Sequence, residues 1–229
     1  MWWARIQQCL IDPLPNGLPP GWKMMVNGLG YTLMITALAV CLGVIIGTLV
    51  GMMRMSKRWW VFLPARIYAD MIRGTPVLVQ LFIINFIVFA SVQADKWLVA
   101  VIAFGLNSAA YVSEIIRAGI QSVNPGQMDA ARSLGMPSGM AMREIILPQA
   151  FRNILPALGN EFVVLLKETS VVGFIGGMDL MRMGDIIRSK TYEAYVPLLS
   201  VAAIYLVLTL GISALLQRLE RSLSWGRAK

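Results

Sequence analysis

The chain has 229 residues, of which 57% are hydrophobic and only 14% are charged, and this composition excludes a soluble globular domain of the same length. The formal net charge of +8 does not indicate a nucleic-acid partner, because the basic residues lie in short clusters beside long apolar runs, as membrane topology requires. The absence of histidine removes the commonest general base and metal ligand.

The first segment, residues 1–25, contains four prolines and lacks the continuous apolar stretch of a signal peptide. We interpret it as an interfacial segment whose tryptophans Trp2, Trp3 and Trp22 lie near the lipid headgroups. The two cysteines show no metal-ligand spacing and predict neither a disulfide nor a zinc site. The sequence has no Walker-type phosphate loop, so we expect no cofactor in this chain, and any ATP and magnesium must be bound by a partner chain.

Apolar runs predict five membrane-spanning helices. Thirty uncharged residues lie between Lys23 and Arg54, which is enough for one tilted span. The second span is the weakest, and a more polar helical stretch precedes it. The five predicted spans cover residues 26–53, 75–91, 97–118, 154–178 and 196–216. The expected fold is therefore an all-α integral membrane protein with a single transmembrane domain over residues 1–229.

The distribution of basic residues predicts the orientation. An odd number of spans puts the termini on opposite sides, and the positive-inside rule then favours an outside N-terminus and a cytoplasmic tail, residues 217–229. Eleven lysines and arginines fall in segments assigned to the inside: Arg54, Lys57, Arg58, Arg117, Arg132, Arg143, Arg152, Arg218, Arg221, Arg227 and Lys229. Six fall in segments assigned to the outside: Arg5, Lys23, Lys96, Arg182, Arg188 and Lys190.

The loop segment, residues 119–150, is too polar to be a span and too patterned to be a linker. Asn124 followed by Pro125 is typical of a helix start, with an N-cap and a proline at the first helical position. Gly135 is suited to end that helix in a left-handed conformation, and a second helix is expected to stop or kink near Pro148. These signals predict two short helices joined at Gly135 on the inner membrane face.

The small residues Ala130 and Ala131, in the middle of the first loop helix, would let another protein approach the backbone, although the loop could equally fold against its own bundle. The spacing favours the first interpretation, because over twenty residues it resembles the EAA loop of importer-type ABC permeases. The one departure is Asp129, where that family usually has glutamate. The residues that carry the resemblance are Asp129, Ala130, Ala131, Gly135, Ile145, Leu147 and Pro148.

Three further stretches resemble the polar amino-acid branch of these permeases, which includes histidine-, glutamine- and arginine-type members. They are MIRGTPVLVQLF from Met71, LNSAAYVSEIIRAGIQSVNPGQ from Leu106 and ILPALGNEFVVLLKETSVVGFIG from Ile154. The resemblance implies a bacterial inner-membrane subunit that is not itself an enzyme. It also implies two ABC ATPase subunits docked on the loop, a second permease that is identical or homologous, and an extracytoplasmic solute-binding protein.

Polar residues inside the predicted spans are candidate substrate ligands, because charges in lipid are costly and therefore face a bundle interior or a cavity. The third span carries Asn107, Ser108, Tyr111 and Glu114, and the fourth carries Asn160, Glu161, Lys167 and Glu168. The step Gly74-Thr75-Pro76 should break the second helix and expose a helix start that favours a carboxylate. The residues selected as substrate-binding are Thr75, Gln80, Ser108 and Glu161.

Structural roles remain open for several of these charges. Lys167 and Glu168 are candidates for structural pairing or gate contacts, and Glu114 with Arg117 is expected to form a structural pair one turn apart. Glu161 is the better ligand candidate, since the resemblance implies that the position after Gly159-Asn160 faces the pathway. An acidic residue there mildly favours a cationic amino acid.

Two other function classes compete with this interpretation. A passive channel or secondary transporter would need no ATPase, but the loop pattern and the lack of an apparent internal repeat disfavour it. A membrane-embedded enzyme would need a catalytic constellation, which a chain without histidine or a metal cluster does not offer.

Overall fold

The computed structural model describes the backbone of residues 2–224 and the side chains of residues 2–220. Helices dominate it, and within these residues the only β-type pairing is an isolated bridge between Leu14 and Leu18. Residues 225–229 of the predicted tail lie outside the described residues, whereas residues 217–224 continue the last helix.

Ten α-helices follow one another in the described residues, with short π or 3₁₀ turns between some of them. They are α1 Trp2–Ile6, α2 Gly21–Arg54, α3 Trp59–Arg73, α4 Val77–Ile83, α5 Lys96–Gln121, α6 Pro125–Ser133, α7 Ser138–Ala141, α8 Leu147–Glu168, α9 Leu180–Thr191 and α10 Tyr195–Ser224. A π-helical turn extends α4 over Ile84–Val88, and a 3₁₀ segment extends α8 over Thr169–Ile175.

Three of these helices, α2, α5 and α10, are long and apolar enough to cross a membrane. A fourth crossing requires α3 and the segment Val77–Val88 to be counted together, although they are bent by 109° at a short break. Helix α8 is not apolar enough to be counted with them, because it carries the polar residues Arg152, Asn153, Asn160, Glu161 and Lys167. Three of the predicted spans are thus confirmed as long apolar helices, and the count of five stays a prediction.

Helix α5 lies at the centre of the bundle and packs most extensively on α2. Small residues allow this close contact, as in many membrane helix pairs. A Cβ atom built at Gly43 would come within 2.8 Å of the Ser108 Cβ, and one at Gly47 within 2.7 Å of the Val112 Cβ. The hydroxyl of Tyr68 on α3 donates to the carbonyl of Leu106 on α5 at 2.6 Å. These contacts fix α5, which carries several candidate site residues.

Buried apolar side chains form three clusters along the bundle. One lies at its middle, one joins the N-terminal segment to α9 and α10, and one holds the loop segment against the ends of α5 and α8. Their central members are Ile35, Leu81, Phe104 and Leu165 in the first, Cys9, Leu180, Ile187 and Val196 in the second, and Val123, Ile146, Ala150 and Ile154 in the third.

Helices extend across two of the predicted segment boundaries, which themselves stay predictions. Helix α2 begins at Gly21, within the predicted N-terminal segment 1–25. The segment 119–150 includes the last turn of α5 and the first turn of α8, the helix that contains most of the fourth predicted span.

Candidate functional site

The first half of the loop segment has the conformation that its sequence predicts. The Asn124 side chain accepts a hydrogen bond from the Gly126 amide at 2.8 Å, and Pro125 is the first residue of α6. Gly135 has a φ of +84°. The Met136 amide donates to the Ala131 carbonyl at 3.1 Å and the Gly135 amide to Arg132 at 3.0 Å, which together form a Schellman motif.

The second half of the loop segment follows the prediction only in part, because the sequence left open whether its helix stops or kinks near Pro148. The helix after Gly135 does not stop at Pro148: α7 passes through a π-helical turn, Met142–Ile146, directly into α8. Pro148 lacks an amide hydrogen and its ring crowds the carbonyl four residues earlier, and a π turn relieves that conflict without ending the helix. The loop segment is therefore one short helix, a sharp turn and the start of a long helix.

The coupling residues chosen from the sequence differ in exposure. Ala131 is buried, with 2% of its surface accessible, so its small side chain serves internal packing. Leu134 precedes the turn at Gly135 and is 84% exposed, so it presents an apolar side chain at the end of α6. We call the end of α6 and the turn at Gly135 the tip of the loop segment. The remaining candidates are exposed: Asp129, Ala130, Gly135, Leu147 and Pro148.

The loop segment is fastened to the bundle. Met128 and Met142 pack against the buried cluster formed by Val123, Ile146, Ala150 and Ile154, and Asn153 of α8 donates to the Ser122 hydroxyl at 2.8 Å. The exposed tip is thus carried on a rigid base.

Two of the four candidate substrate residues meet at the centre of the bundle. The Ser108 hydroxyl of α5 donates to Glu161 Oε1 of α8 at 2.9 Å. Both side chains are buried, and Glu161 is 8% exposed. Gly43 of α2 lies against Ser108, so three helices enclose this Ser108–Glu161 pair.

The other two candidates, Thr75 and Gln80, lie at the break between α3 and α4, which the sequence predicted. Gln80 Nε2 is within donating distance of the Ile72 carbonyl at 2.7 Å, the Thr75 carbonyl at 3.0 Å and the Thr75 hydroxyl at 2.8 Å. Gln80 Oε1 accepts from Asn107 at 3.0 Å. Gln80 therefore satisfies carbonyl groups that the break releases, and Thr75 itself is exposed.

The candidates thus form two groups, which adjacent residues of α5 connect. Asn107 contacts the break and Ser108 contacts Glu161, so neighbouring side chains of one helix face different partners.

The expected structural pair of Glu114 and Arg117 is confirmed and is larger than predicted. Arg54 Nη1 lies 2.8 Å from Glu114 Oε2, and Arg73 Nη1 lies 3.3 Å from the same oxygen, in addition to the contact with Arg117. Sequence reasoning missed Arg54 and Arg73 because they are distant in the chain. The available signal was that each arginine is the last residue of a helix, Arg54 of α2 and Arg73 of α3.

Lys167 and Glu168 do not pair as the sequence suggested. Neither forms an ion pair within 4.0 Å of an opposite charge among the described side chains. Lys167 instead lines a cavity of about 340 Å³ together with Ser170 and Tyr205. The gate interpretation stays a prediction.

Sequence reasoning also missed Asp179, which follows the fourth predicted span. Its Oδ2 caps α9 by accepting from the Met181 amide at 3.0 Å, and the residue is fully buried. Burial raises the pKa of this carboxyl to about 6. The pattern Asp179-Leu180 before an amphipathic stretch was the available signal.

Known proteins similar to this chain share its architecture and most of its length. Residues 24–225 match the family described as binding-protein-dependent transport system inner membrane component. The arginine transport system permease protein ArtQ of Bacillus subtilis is 40% identical over 207 residues, covering 89% of this chain and 94% of that protein. The glutamine transport system permease protein GlnP of Escherichia coli is 35% identical over 205 residues, covering 88% of this chain and 94% of that protein.

A solved structure gives the same result in three dimensions. A crystal structure of an amino acid ABC transporter with histidines contains a chain that superposes with a TM-score of 0.84 at 50% sequence identity. The match covers 87% of this chain and 94% of that one.

Proposed function

This chain belongs to the family of binding-protein-dependent transport system inner membrane components, and on that premise we propose that it is the permease subunit of an ABC importer for a polar amino acid. It is not an enzyme, and ATP hydrolysis belongs to separate partner subunits. The relatives named for arginine and glutamine transport support the substrate class.

The observation that carries the proposal is the loop segment. Its tip is exposed and has a defined backbone conformation, while its base is fastened by buried apolar contacts. A partner that closes on this tip would move the attached helices instead of deforming the loop. We assign the exposed residues Asp129, Ala130 and Gly135 at the tip, and Leu147 and Pro148 at the start of α8, as the docking site of an ABC ATPase, and Ala131 as a packing residue beneath the tip.

The complete importer would contain two ATPase subunits, a second permease that is identical or homologous, and an extracytoplasmic solute-binding protein. The chain would lie in a bacterial inner membrane with its N-terminus outside and its loop segment and C-terminus in the cytoplasm. The basic residues of the loop segment and the tail support this orientation. Helix α8 with its 3₁₀ extension would provide the fourth of the five predicted spans, residues 154–178.

We place the substrate pathway at the Ser108–Glu161 pair. Glu161 is an acceptor for an ammonium or guanidinium group, and Ser108 positions its carboxylate through the 2.9 Å hydrogen bond. Gln80 and Thr75 take a supporting role by stabilising the break beside this site, where Gln80 also holds Asn107. The acidic residue gives a mild preference for a cationic amino acid.

The complex of this chain with its ATPase, reconstituted in vesicles with the binding protein, tests the proposal. We expect ATP hydrolysis to rise when the binding protein carries a polar amino acid, and a scan of amino acids would identify the substrate. Failure of any ATPase to co-purify with the chain, or uptake driven by an ion gradient without ATP, would contradict the proposal.

A further inference from the structure

A second cluster of charges lies apart from the Ser108–Glu161 pair, where the end of α2, helix α3 and the last third of α5 meet. Arg54 is the last residue of α2, and α5 leads directly into α6, so this arginine pocket lies on the same side of the bundle as the loop segment. The pocket has a volume of about 380 Å³, and the residues lining it are Arg54, Phe62, Arg66, Asp70, Arg73, Glu114 and Arg117.

The arginine pocket has more positive than negative charge. Glu114 is the shared partner of three guanidinium groups, those of Arg54, Arg73 and Arg117. Arg66 pairs with Asp70 at 3.4 Å. Four arginines face two carboxylates, which leaves an excess of two positive charges, and the arginine side chains range in exposure from 8% at Arg54 to 58% at Arg66. Such an excess attracts anions.

Arg54 provides an independent sign of an unfilled contact. Its side chain is 8% exposed, and its Nη1 is used by Glu114 and by the Ser113 hydroxyl at 3.2 Å. Its Nε is buried and has no hydrogen-bond partner among the described residues. A buried donor without an acceptor costs free energy, so one donor of Arg54 is left unsatisfied beside the pocket.

We propose that the arginine pocket binds a singly charged phosphate group, supplied by the headgroup of an anionic phospholipid. A guanidinium group can donate two parallel hydrogen bonds to two oxygens of one phosphate. Pockets of roughly 300–1,000 Å³ are typical of small-ligand sites. The excess positive charge disfavours a cationic amino acid, whose side chain the arginines would repel, and neither Ser108 nor Glu161 lines the pocket. The pocket is therefore distinct from the substrate pathway.

Helix α3 explains why the phosphate would come from a lipid. The exposed side chains Leu63, Ile67 and Met71 follow one another at four-residue spacing and form an apolar stripe next to the pocket. Trp59 and Trp60, at the start of α3, are also exposed and suit the membrane interface. The acyl chains would lie on this stripe while the headgroup enters the pocket. Basic pockets on the cytoplasmic side of membrane proteins commonly bind anionic lipid headgroups in this way.

The test measures lipid binding to the purified complex of this chain with its ATPase, after delipidation in detergent. Phosphatidylglycerol and phosphatidylcholine are titrated and bound lipid is counted by native mass spectrometry. We expect phosphatidylglycerol to be preferred, and Arg73→Gln to weaken its binding about fivefold, the effect typical of one basic residue. The matched control is Arg188→Gln, which removes the same charge from α9, away from the pocket.

A second variant changes binding in the opposite direction. Glu114→Gln removes the shared carboxylate and increases the positive charge, so we expect tighter retention of phosphatidylglycerol, whereas a merely structural cluster would lose lipid as the helices loosen. Competition by millimolar inorganic phosphate would support the phosphate site and identify free phosphate as a further source. Equal retention of both lipids by the unaltered complex, or equal effects of Arg73→Gln and Arg188→Gln, would overturn the proposal.

Discussion

The loop segment and the Ser108–Glu161 pair are built in different ways. The turn at Gly135 is defined by hydrogen bonds between residues at most five positions apart, and its cap by a bond across two positions. The pair joins residues 53 positions apart on two helices, and Gln80 reaches Asn107 across 27 positions. A single backbone conformation therefore controls the loop, whereas the site depends on how three helices pack. Substitutions in the two regions should have different consequences.

The largest effect is expected at the Ser108–Glu161 pair, where a substitution should change substrate selectivity without changing ATPase docking. Glu161→Gln should weaken transport of a cationic amino acid roughly 10- to 100-fold, because a hydrogen bond to a charged group is lost. Neutral polar amino acids should be affected less. Uptake assays with both substrate types measure the difference, and Glu220→Gln, at an exposed position of α10, is the control.

A double-mutant cycle extends this prediction. Ser108→Ala and Glu161→Gln should be non-additive, because the two side chains share one hydrogen bond. Unchanged uptake and selectivity in Glu161→Gln would show that the pathway lies elsewhere.

The next effect is expected at the loop tip. Gly135→Val forces a branched side chain into a φ of +84°, which costs about 1–2 kcal/mol, so docking of the ATPase should weaken about 5- to 30-fold while membrane insertion is retained. Co-purification of the ATPase measures it. Gly139→Val is the matched control, since a Cβ there meets no atom within 4 Å and its φ is not positive.

A steric clash would not explain the effect of Gly135→Val, because a Cβ at Gly135, like one at Gly139, meets no atom within 4 Å. Gly135→Asn should keep most of the docking, since asparagine tolerates the left-handed conformation. Normal ATPase binding by Gly135→Val would show that the backbone conformation at this position does not control docking.

The smallest effect is expected at the cap. Asn124→Ala removes the acceptor of the Gly126 amide and should destabilise α6 by about 1 kcal/mol. Hydrogen exchange of the backbone amides of α6 measures this change. Ser133→Ala is the control, because that hydroxyl only donates to the Asp129 carbonyl within the same helix, at 3.0 Å. Equal exchange in both variants would show that the base of the loop, not its cap, holds α6.

The same contrast explains what could be predicted from the sequence. Asn124, Pro125 and Gly135 act on their own neighbours, so the start and end of α6 followed from residue types. For Pro148 the sequence left two alternatives, a stop or a kink, and the structure shows that the helix continues, with a π turn just before the proline. Gly74-Thr75-Pro76 predicted the break, yet only the packing of α4 on α5 shows that Gln80 fills it.

The candidate site was identifiable as a set of polar residues in apolar spans, but not as an arrangement. Asn107 and Ser108 looked equivalent in sequence, and the three-dimensional packing assigns them to different partners. Arg54 appeared only as a topological charge, although α2 brings it to Glu114.

The uninterrupted passage from the π turn into α8 has a mechanical consequence. Leu147 and Glu161 lie fourteen residue steps apart on one helix, a distance of about 21 Å at the usual rise per residue. An ATPase that moves the Leu147 end of α8 would therefore also move the Glu161 carboxylate at the other end of this helix segment. Pro156 lies between Leu147 and Glu161. Its missing amide hydrogen removes one helical hydrogen bond, so α8 would bend most easily at this residue.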